Sequence, residues 1–505
     1  MNPRTALRPA LLRQDFTASL VVFLVALPLC IGIAVASGVP AELGLVTGIV
    51  GGLVTGILPG SSLQVSGPAA GLTVLVHQAV TQYGVSALGA VVLAAGLLQV
   101  LMGALRLGRW FRAISVSVVQ GMLAGIGLVL VAGQLYPMTG EHAPDGGLAA
   151  LSGLPSLLME SLRSAVTGTP AASVTELVGC GTLLVLLVWR RLPARVQLVP
   201  APLAAVALAT AVTAAARLDV ARLDVRGLAG AVQPPGLTDL GRLTGAGLLG
   251  TVLAFALIAS AESLFSAAAV DRLHNGPRTD FDRELMAQGV GNTVCGLLGA
   301  LPVTAVIVRS ATNVAAGART RLARVLHGCW LLLFAALLPE ALGVIPLAAL
   351  AAVLVYAGAG LIPARALPKL WRAHRGEAVV LVATAVAIVV TNLLEGVLFG
   401  LLLAVVKSAW ETSQLQVEVA DGPEGPIRVE LTGCATFLRL PRMLGALEGL
   451  PGDRPVTLDL TGLRYLDHAC RTALEDWATR RGAELVDRTG GADGVGGAEP
   501  VPAVR

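Results

Sequence analysis

Val65-Ser66-Gly67-Pro68-Ala69-Ala70-Gly71 and Leu301-Pro302-Val303-Thr304 open two short apolar runs, each beginning at its proline. Each is the third of seven runs in its half of the chain. The first half has runs near 17–37, 43–59, 68–82, 85–105, 114–135, 173–189 and 198–216. The second has them near 246–270, 285–300, 303–317, 323–339, 342–362, 377–393 and 394–410. Short, interrupted apolar segments at matching positions of two halves point to the binding site of an inverted-repeat transporter. Two proline-kinked packing helices would also give this pattern, but the symmetry of position favours the site.

The composition around these runs excludes a water-soluble globule. Of 505 residues, 55% are hydrophobic and 13% charged, against roughly 25% charged in a soluble protein. A span needs about 20 mostly apolar residues, so the apolar content suffices for about a dozen or more. Long uninterrupted runs exclude a β-barrel. The 59 glycines and 28 prolines point to small-residue helix packing with breaks inside spans. The expected fold is an α-helical membrane protein with 14 transmembrane segments arranged seven plus seven, in repeats of about 15–216 and 246–410. Segment 148–160, interrupted by Pro155, reads as interfacial or re-entrant.

Arginine placement orients the spans. Loops at 106–112, 190–195, 272–283, 319–324 and 365–375, with Arg4, Arg8 and Arg13, hold 19 Arg and Lys, against five arginines in the alternate loops. The positive-inside rule then puts both termini in the cytoplasm of a bacterial-type inner membrane. No small-residue cleavage site follows the first run, so that run reads as a retained span. Trp110, Tyr136, Trp189 and Trp410 read as interfacial anchors, and Lys407 and Glu395 as snorkelling side chains. The six cysteines lack metal-ligand spacing and read as packed thiols. No basic stretch is interleaved with aromatics, so no nucleic-acid partner is expected. No nucleophile constellation, metal-ligand cluster or nucleotide loop appears, so neither an enzyme nor a cofactor is expected.

After Trp410 the composition becomes charged and alternates strand-like runs (Ile427–Leu431, Val456–Leu460) with helical ones, the pattern of a small α/β domain over 415–489. Residues 490–505 are Gly/Ala/Pro-rich and read as a disordered tail.

At these residues the chain resembles the sulfate permease family, over nearly its whole length. The stretch Ala26-Leu27-Pro28-Leu29-Cys30-Ile31-Gly32 looks like the family's proline-broken opening helix. Ser66-Gly67-Pro68-Ala69 resembles the start of its third helix, and Glu262-Ser263 an acidic-Ser pair in the eighth. Glu284-Leu285 with Gln288-Gly289 is similar to the entry of the ninth, and Arg309-Ser310, Asn313 and Gly317-Ala318-Arg319-Thr320 to the tenth. Leu458-Asp459-Leu460 and Leu466-Asp467-His468 are similar to a STAS domain, though His468 and Ala469 replace its switch serine.

The resemblance implies a 7+7 inverted repeat, with a core of helices 1–4 and 8–11 moving against a gate of helices 5–7 and 12–14. It also implies a small anion held between the facing ends of helices 3 and 10, at Pro68, Ala69, Ala70, Val308 and Arg309, with Leu29 and Ile33 as neighbours. A homodimer in a lipid bilayer, with a cytoplasmic STAS-like domain, is expected. Leu29, Ile33 and Val308 stand where many members carry Gln, an aromatic and Ser, so an apolar pocket with backbone donors is expected. Dicarboxylate, bicarbonate and sulfate all fit such a pocket.

Glu262 and Arg309 are charges inside apolar runs, each costing several kcal/mol at bilayer depth on most estimates, roughly 3 or more. An ion pair tying two helices together is one reading. The other makes Glu262 the proton carrier, competing with the anion for the field of Arg309. Proton–anion symport is therefore expected. Sodium coupling, with Ser266 and Thr304 as oxygen ligands, is the alternative, and His77 is a candidate relay. A nucleobase permease would want an acid where Arg309 stands. A membrane-anchored STAS scaffold would leave Glu262 and Arg309 without a role.

Overall fold

The structure, a computed structural model, describes residues 9–113, 115–144, 146–167, 170–189, 191–193, 196–225, 227–236, 241, 246–420 and 425–487. The expected disordered tail at 490–505 lies outside the described residues. Contacts divide the chain into two units, Met1–Leu401 and Leu402–Arg505.

In the first unit the helices are α1 (Pro9–Ala36), α2 (Ala41–Val50, continued by a π turn to Thr55), α3 (Thr73–Tyr83), α4 (Val85–Ala104) and α5 (Val116–Thr139). There follow α6 (Gly147–Ser152), α7 (Leu154–Thr167), α8 (Pro170–Trp189), α9 (Ala201–Ala215), α10 (Ala246–Val270) and α11 (Phe281–Leu297). Then come α12 (Ile307–Ala315), α13 (Leu322–Leu337), α14 (Leu347–Leu361), α15 (Leu367–Ala373), α16 (Arg375–Val390) and α17 (Leu393–Thr412), which runs into the second unit; single helical turns at Leu228–Ala231 and Glu340–Gly343 lie in the connections. Each of the fourteen apolar runs coincides with one of these helices, and segment 148–160 falls in α6 and α7. Five of them, α1, α4, α5, α10 and α17, are long and apolar enough to cross a membrane on their own. Leu97, Leu101, Leu184, Leu253, Leu332 and Val386 stay exposed, a belt of large apolar side chains that suits lipid and not water.

Packing joins α4 to α10 and α11, and α1 and α2 to α13; it joins α5 to α14 and α16, and α8 to α9 and α14, and α1 also packs on α14 and α9. The α4–α11 seam is the tightest because glycines line it. A Cβ on Gly96 would collide with the backbone of Thr293, and one on Gly296 with Leu93. Such close backbone approach is how helices associate where apolar burial gives no drive.

Two short strands interrupt the helices. β1 (Ser66–Gly67) pairs antiparallel with β2 (Thr304–Ala305), Ser66 opposite Ala305 and Gly67 opposite Thr304. This corrects the expectation that both third runs begin as helices at their prolines. Pro68 and Pro302 instead sit in extended chain, because a proline disfavours the α region for the residue before it. The helices start later, at Thr73 after a 3₁₀ turn over Ala70–Leu72, and at Ile307. Pro28 likewise does not break α1, which runs through it.

Three smaller expectations change. Tyr136 is buried, its hydroxyl donating to Ala150 O at 2.9 Å, and is no interfacial anchor. Lys407 pairs with Glu411 at 2.7 Å on the next turn of α17. Cys180 and Cys329 are exposed, whereas Cys30, Cys295 and Cys470 are packed.

The second unit is an α/β fold. β3 (Leu415–Ala420) runs antiparallel to β4 (Ile427–Ala435), which pairs in parallel with β5 (Val456–Asp459) and β6 (Leu463–Leu466); β7 (Glu484–Val486) extends β5. α18 (Leu440–Glu448) and α19 (His468–Arg481) complete it. Alternation in β4 buries Ile427, Val429 and Leu431 against Met443, Leu474 and Trp477, and leaves Arg428 and Glu430 exposed. Asp467 caps α19, accepting from Cys470 N at 2.8 Å. The Thr461 hydroxyl and N–H beside Asp459 hold its carboxyl below the usual range.

The seam gives a paired prediction. Gly96→Val should destabilise the membrane unit by about 1–3 kcal/mol through overpacking, while Gly133→Ala, with open space around its Cβ, should be silent. Thermal unfolding in detergent, followed by size-exclusion fluorescence, reads both. Deleting residues from about 415 onward should leave monodisperse membrane protein, since the two units each have their own core; aggregation of the truncated chain would show that they fold together.

Candidate functional site

The strand pair brings two half-length helices to one place. Val306 N donates to Val65 O at 3.0 Å, and Ser310 Oγ accepts from Val65 N at 2.9 Å, so the chain before α3 is tied to the first turn of α12. From α10, Ser263 Oγ accepts from Ala305 N at 3.2 Å, and Ser263 O accepts from Gln64 Nε2 at 3.1 Å. From α11, Gln288 Nε2 donates to Ser66 Oγ at 2.8 Å, and Asn292 exchanges bonds with Val303, Nδ2 to O at 3.0 Å and N to Oδ1 at 2.6 Å. Gln288 and Asn292 are one turn apart on one face, so a single helix holds both arms.

The two N-termini open onto a cavity of about 430 Å³, lined by Ala70 and Gly71 on one side and by Val306 to Arg309 on the other. A helix N-terminus presents unsatisfied N–H groups and about half a positive charge, so two together form an anion site without any surface lysine. Leu29 and Ile33 from α1, and Glu262 and Ser266 from α10, complete this wall. Val119, Met122 and Tyr356 face them from α5 and α14, making that side mostly apolar, with the phenol of Tyr356 as its polar group.

The expected residues thus separate into three sets. Leu29, Ile33, Ala70, Val308, Arg309, Glu262 and Ser266 line one cavity. Pro68 and Ala69 lie behind it: Ala69 is buried, and Pro68 O accepts from Arg309 Nη2 at 3.3 Å. Thr304 is fully buried in β2 and does not line the cavity, so Glu262, Ser266 and Thr304 do not face a common space there. His77 lines a different cavity.

Arg309 and Glu262 do not form an ion pair among the described residues, which removes the structural tie between α10 and α12. Arg309 is fully buried, with Nε and Nη1 unpartnered, and Oε2 of Glu262 is also buried without a partner. Both instead close on the segment before α3. A Cβ on Gly67 would strike Arg309 Nη1, and one on Gly71 would lie 2.5 Å from Glu262 Oε1. Gly67 and Gly71 were legible in the motif but carried no expected role; their lack of a side chain is what admits the guanidinium and the carboxylate. Gln288 and Asn292 could have been singled out by their four-residue spacing in an apolar run.

A helical, lipid-exposed unit in which two half-helices and a buried arginine meet at a small cavity defines a membrane-integral anion transporter. The chain belongs to the sulfate permease family, whose model matches residues 12–384. It is 27% identical over 523 residues to the sodium-independent sulfate anion transporter of Bos taurus, covering 94% of this chain and 83% of that one. The transmembrane domain of BicA, a bicarbonate transporter of a cyanobacterium, is 25% identical with a TM-score of 0.67, over 78% of this chain and 97% of that one. The murine anion transporter Slc26a9 in its inward-facing state shares the fold at 15% identity, with a TM-score of 0.77 over 96% and 87% of the two chains. These relatives are transporters and not enzymes, and so is this chain.

Arg309→Ala should weaken anion binding about tenfold or more, the worth of a charged hydrogen bond of roughly 1.5–3 kcal/mol. Titration of the detergent-solubilised protein with sulfate or bicarbonate measures it. Unchanged affinity in a folded variant would assign Arg309 to holding Pro68 alone.

Proposed function

We propose that the protein is a secondary active transporter that moves a small anion with a proton by alternating access. In this reading the fourteen helices are spans of a 7+7 inverted repeat with both termini in the cytoplasm. The group of α1–α4 with α10–α13 is the core that carries the site, and the group of α5, α8, α9, α14, α16 and α17 is the gate. The small α/β unit takes a STAS-like role at the cytoplasmic side. The substrate class is bicarbonate, sulfate or a small dicarboxylate, since backbone N–H groups and one guanidinium accept all three.

The observation that carries the reading is the clasp of Glu262 and Arg309 over Gly71 and Gly67. An ionised Glu262 lies at the positive end of α3, where it offsets the field that an anion would use. With a proton on Glu262 that field falls to the anion, so the two are taken up together. Sodium is the weaker partner because Thr304 does not face the cavity. A relative at 27% identity is a sodium-independent sulfate anion transporter, which agrees.

Glu262→Gln keeps the volume and hydrogen-bonding capacity of the protonated acid and removes its titration. In proteoliposomes it should still exchange anion across the membrane, yet fail to accumulate it when an inward proton gradient is imposed. Wild type should accumulate under that gradient and ignore sodium. Accumulation that follows sodium and not pH would overturn the proton and point to a cation held by Glu262 and Ser266.

A further inference from the structure

A second cavity, of about 650 Å³, lies farther along the same helices. On α1 the candidate site touches Val25, Leu29 and Ile33, and the second cavity touches Gly32, Val35 and Ala36. On α5 the division falls between Leu123 and Val129; on α14, which runs the other way, it falls at Val353 and Leu354. The two spaces adjoin at Ile33 and Gly32, and their linings on α1 are centred about five residues apart, roughly 8 Å along the helix at 1.5 Å per residue. With the N-terminus of α1 in the cytoplasm, this second space is on the outer side.

Between them Leu354, buried at 1% exposure, packs on Gly32: a Cβ there would meet Leu354 Cγ at 3.3 Å. Gly32 belongs to the core group and Leu354 to the gate group, so the contact crosses between them.

The second cavity is polar on its core side. Thr73, the first residue of α3, is 4% exposed and its Oγ1 has no partner. His77, one turn on, packs where Gly38 takes a φ of +75° and has no Cβ; a Cβ there would lie 3.2 Å from His77 Nδ1. Gln78 adds an amide, and Gln134 of α5 and Thr175 of α8 face them. The charged and titratable groups among the lining residues are His77, Glu141 and His142, the last two exposed at the rim beyond α5. Residues with hydroxyl, amide and imidazole groups therefore line this cavity, while the carboxylate stays exposed at its rim, where its field is screened.

We propose that this outer cavity is a second station for the transported anion, with Thr73, His77 and Gln134 as its donors, and that the Gly32–Leu354 contact is the barrier between the stations. This rests on the anion-transport reading above. The same stretch of chain then serves both ends, the Ala70–Leu72 turn before α3 at the inner site and α3 from its first turn at the outer one.

The test is cysteine accessibility in oriented proteoliposomes, in a full chain whose exposed Cys180 and Cys329 and half-buried Cys434 are replaced by serine. Thr73→Cys and His77→Cys should each react with a membrane-impermeant, negatively charged thiosulfonate added outside, and sulfate or bicarbonate should slow the reaction at least threefold. Ala70→Cys, at the inner site, should react faster from inside than from outside. Adding Leu354→Ala should speed its reaction from outside at least threefold. Failure of both outer positions to react, or reaction that neither anion slows, overturns the outer station; an Ala70→Cys that reacts no faster from outside with Leu354→Ala overturns the barrier. Protection at Ala70→Cys without protection at Thr73→Cys would leave the inner site standing and remove the outer one. Protection at neither would count against anion binding as a whole.

Discussion

Backbone that is not helical at membrane depth must find every hydrogen bond inside the protein, because hydrocarbon offers none. In this chain the demand falls on residues 64–68 and 303–306, the two stretches that keep α3 and α12 half-length. Two residues of β-pairing on each side cannot meet it. Ser263, Asn292 and Ser310 bond further backbone groups from three helices, Gln288 holds the Ser66 hydroxyl, and Asn292 donates in turn to Gln99 Oε1 at 2.7 Å. The position of both helix ends, and so of the cavity, depends on this set.

The same demand recurs one layer out. The chain between α2 and β1 gives its carbonyls to Arg324, which reaches Gly56 O, Leu58 O and Gln64 O at 2.8, 2.9 and 3.3 Å. Glu284 Oε2 accepts from Ser61 N at 2.7 Å in that loop. Asp15 accepts from the N–H groups of Arg319 and Thr320, tying the start of α1 to the chain after α12. These are charges whose work is to hold backbone, which separates them from Arg309 and Glu262, where donor and acceptor atoms stay unpartnered. An intramembrane charge is therefore read by what it leaves unpaired and not by its presence in an apolar run.

Much of this was legible in the sequence, because apolar runs, prolines and isolated charges report directly on the bilayer. All fourteen runs fall on helices, and seven of the expected site residues line one cavity. What was not legible depends on which face a residue takes. Thr304 has the right chemistry two residues before the first lining position, Val306, and is buried in the β1–β2 pair opposite Gly67. Tyr136 lies at a run end, as an anchor would, yet α6 folds back and takes its hydroxyl. The β1–β2 pair itself is two residues long, too short for any periodicity to show.

Charge balance then constrains what the site can hold. Arg309 is the third residue of α12, and a cation near a helix N-terminus is opposed by the helix dipole by roughly 0.3–1 kcal/mol even in an exposed setting. The start of α3 adds a second positive end from the facing side. Three positive sources thus converge on a buried space whose wall from α5 and α14 is mostly apolar, and removing a lone buried charge from any partner costs several kcal/mol, roughly 3–5. The arrangement is stable only with a negative charge nearby. Glu262 is the carboxylate that lines the cavity, so an anion gains more there when Glu262 is neutral and less when it is ionised. Under the proton–anion symport proposed above, the two are coupled through a shared deficit of charge, without having to touch.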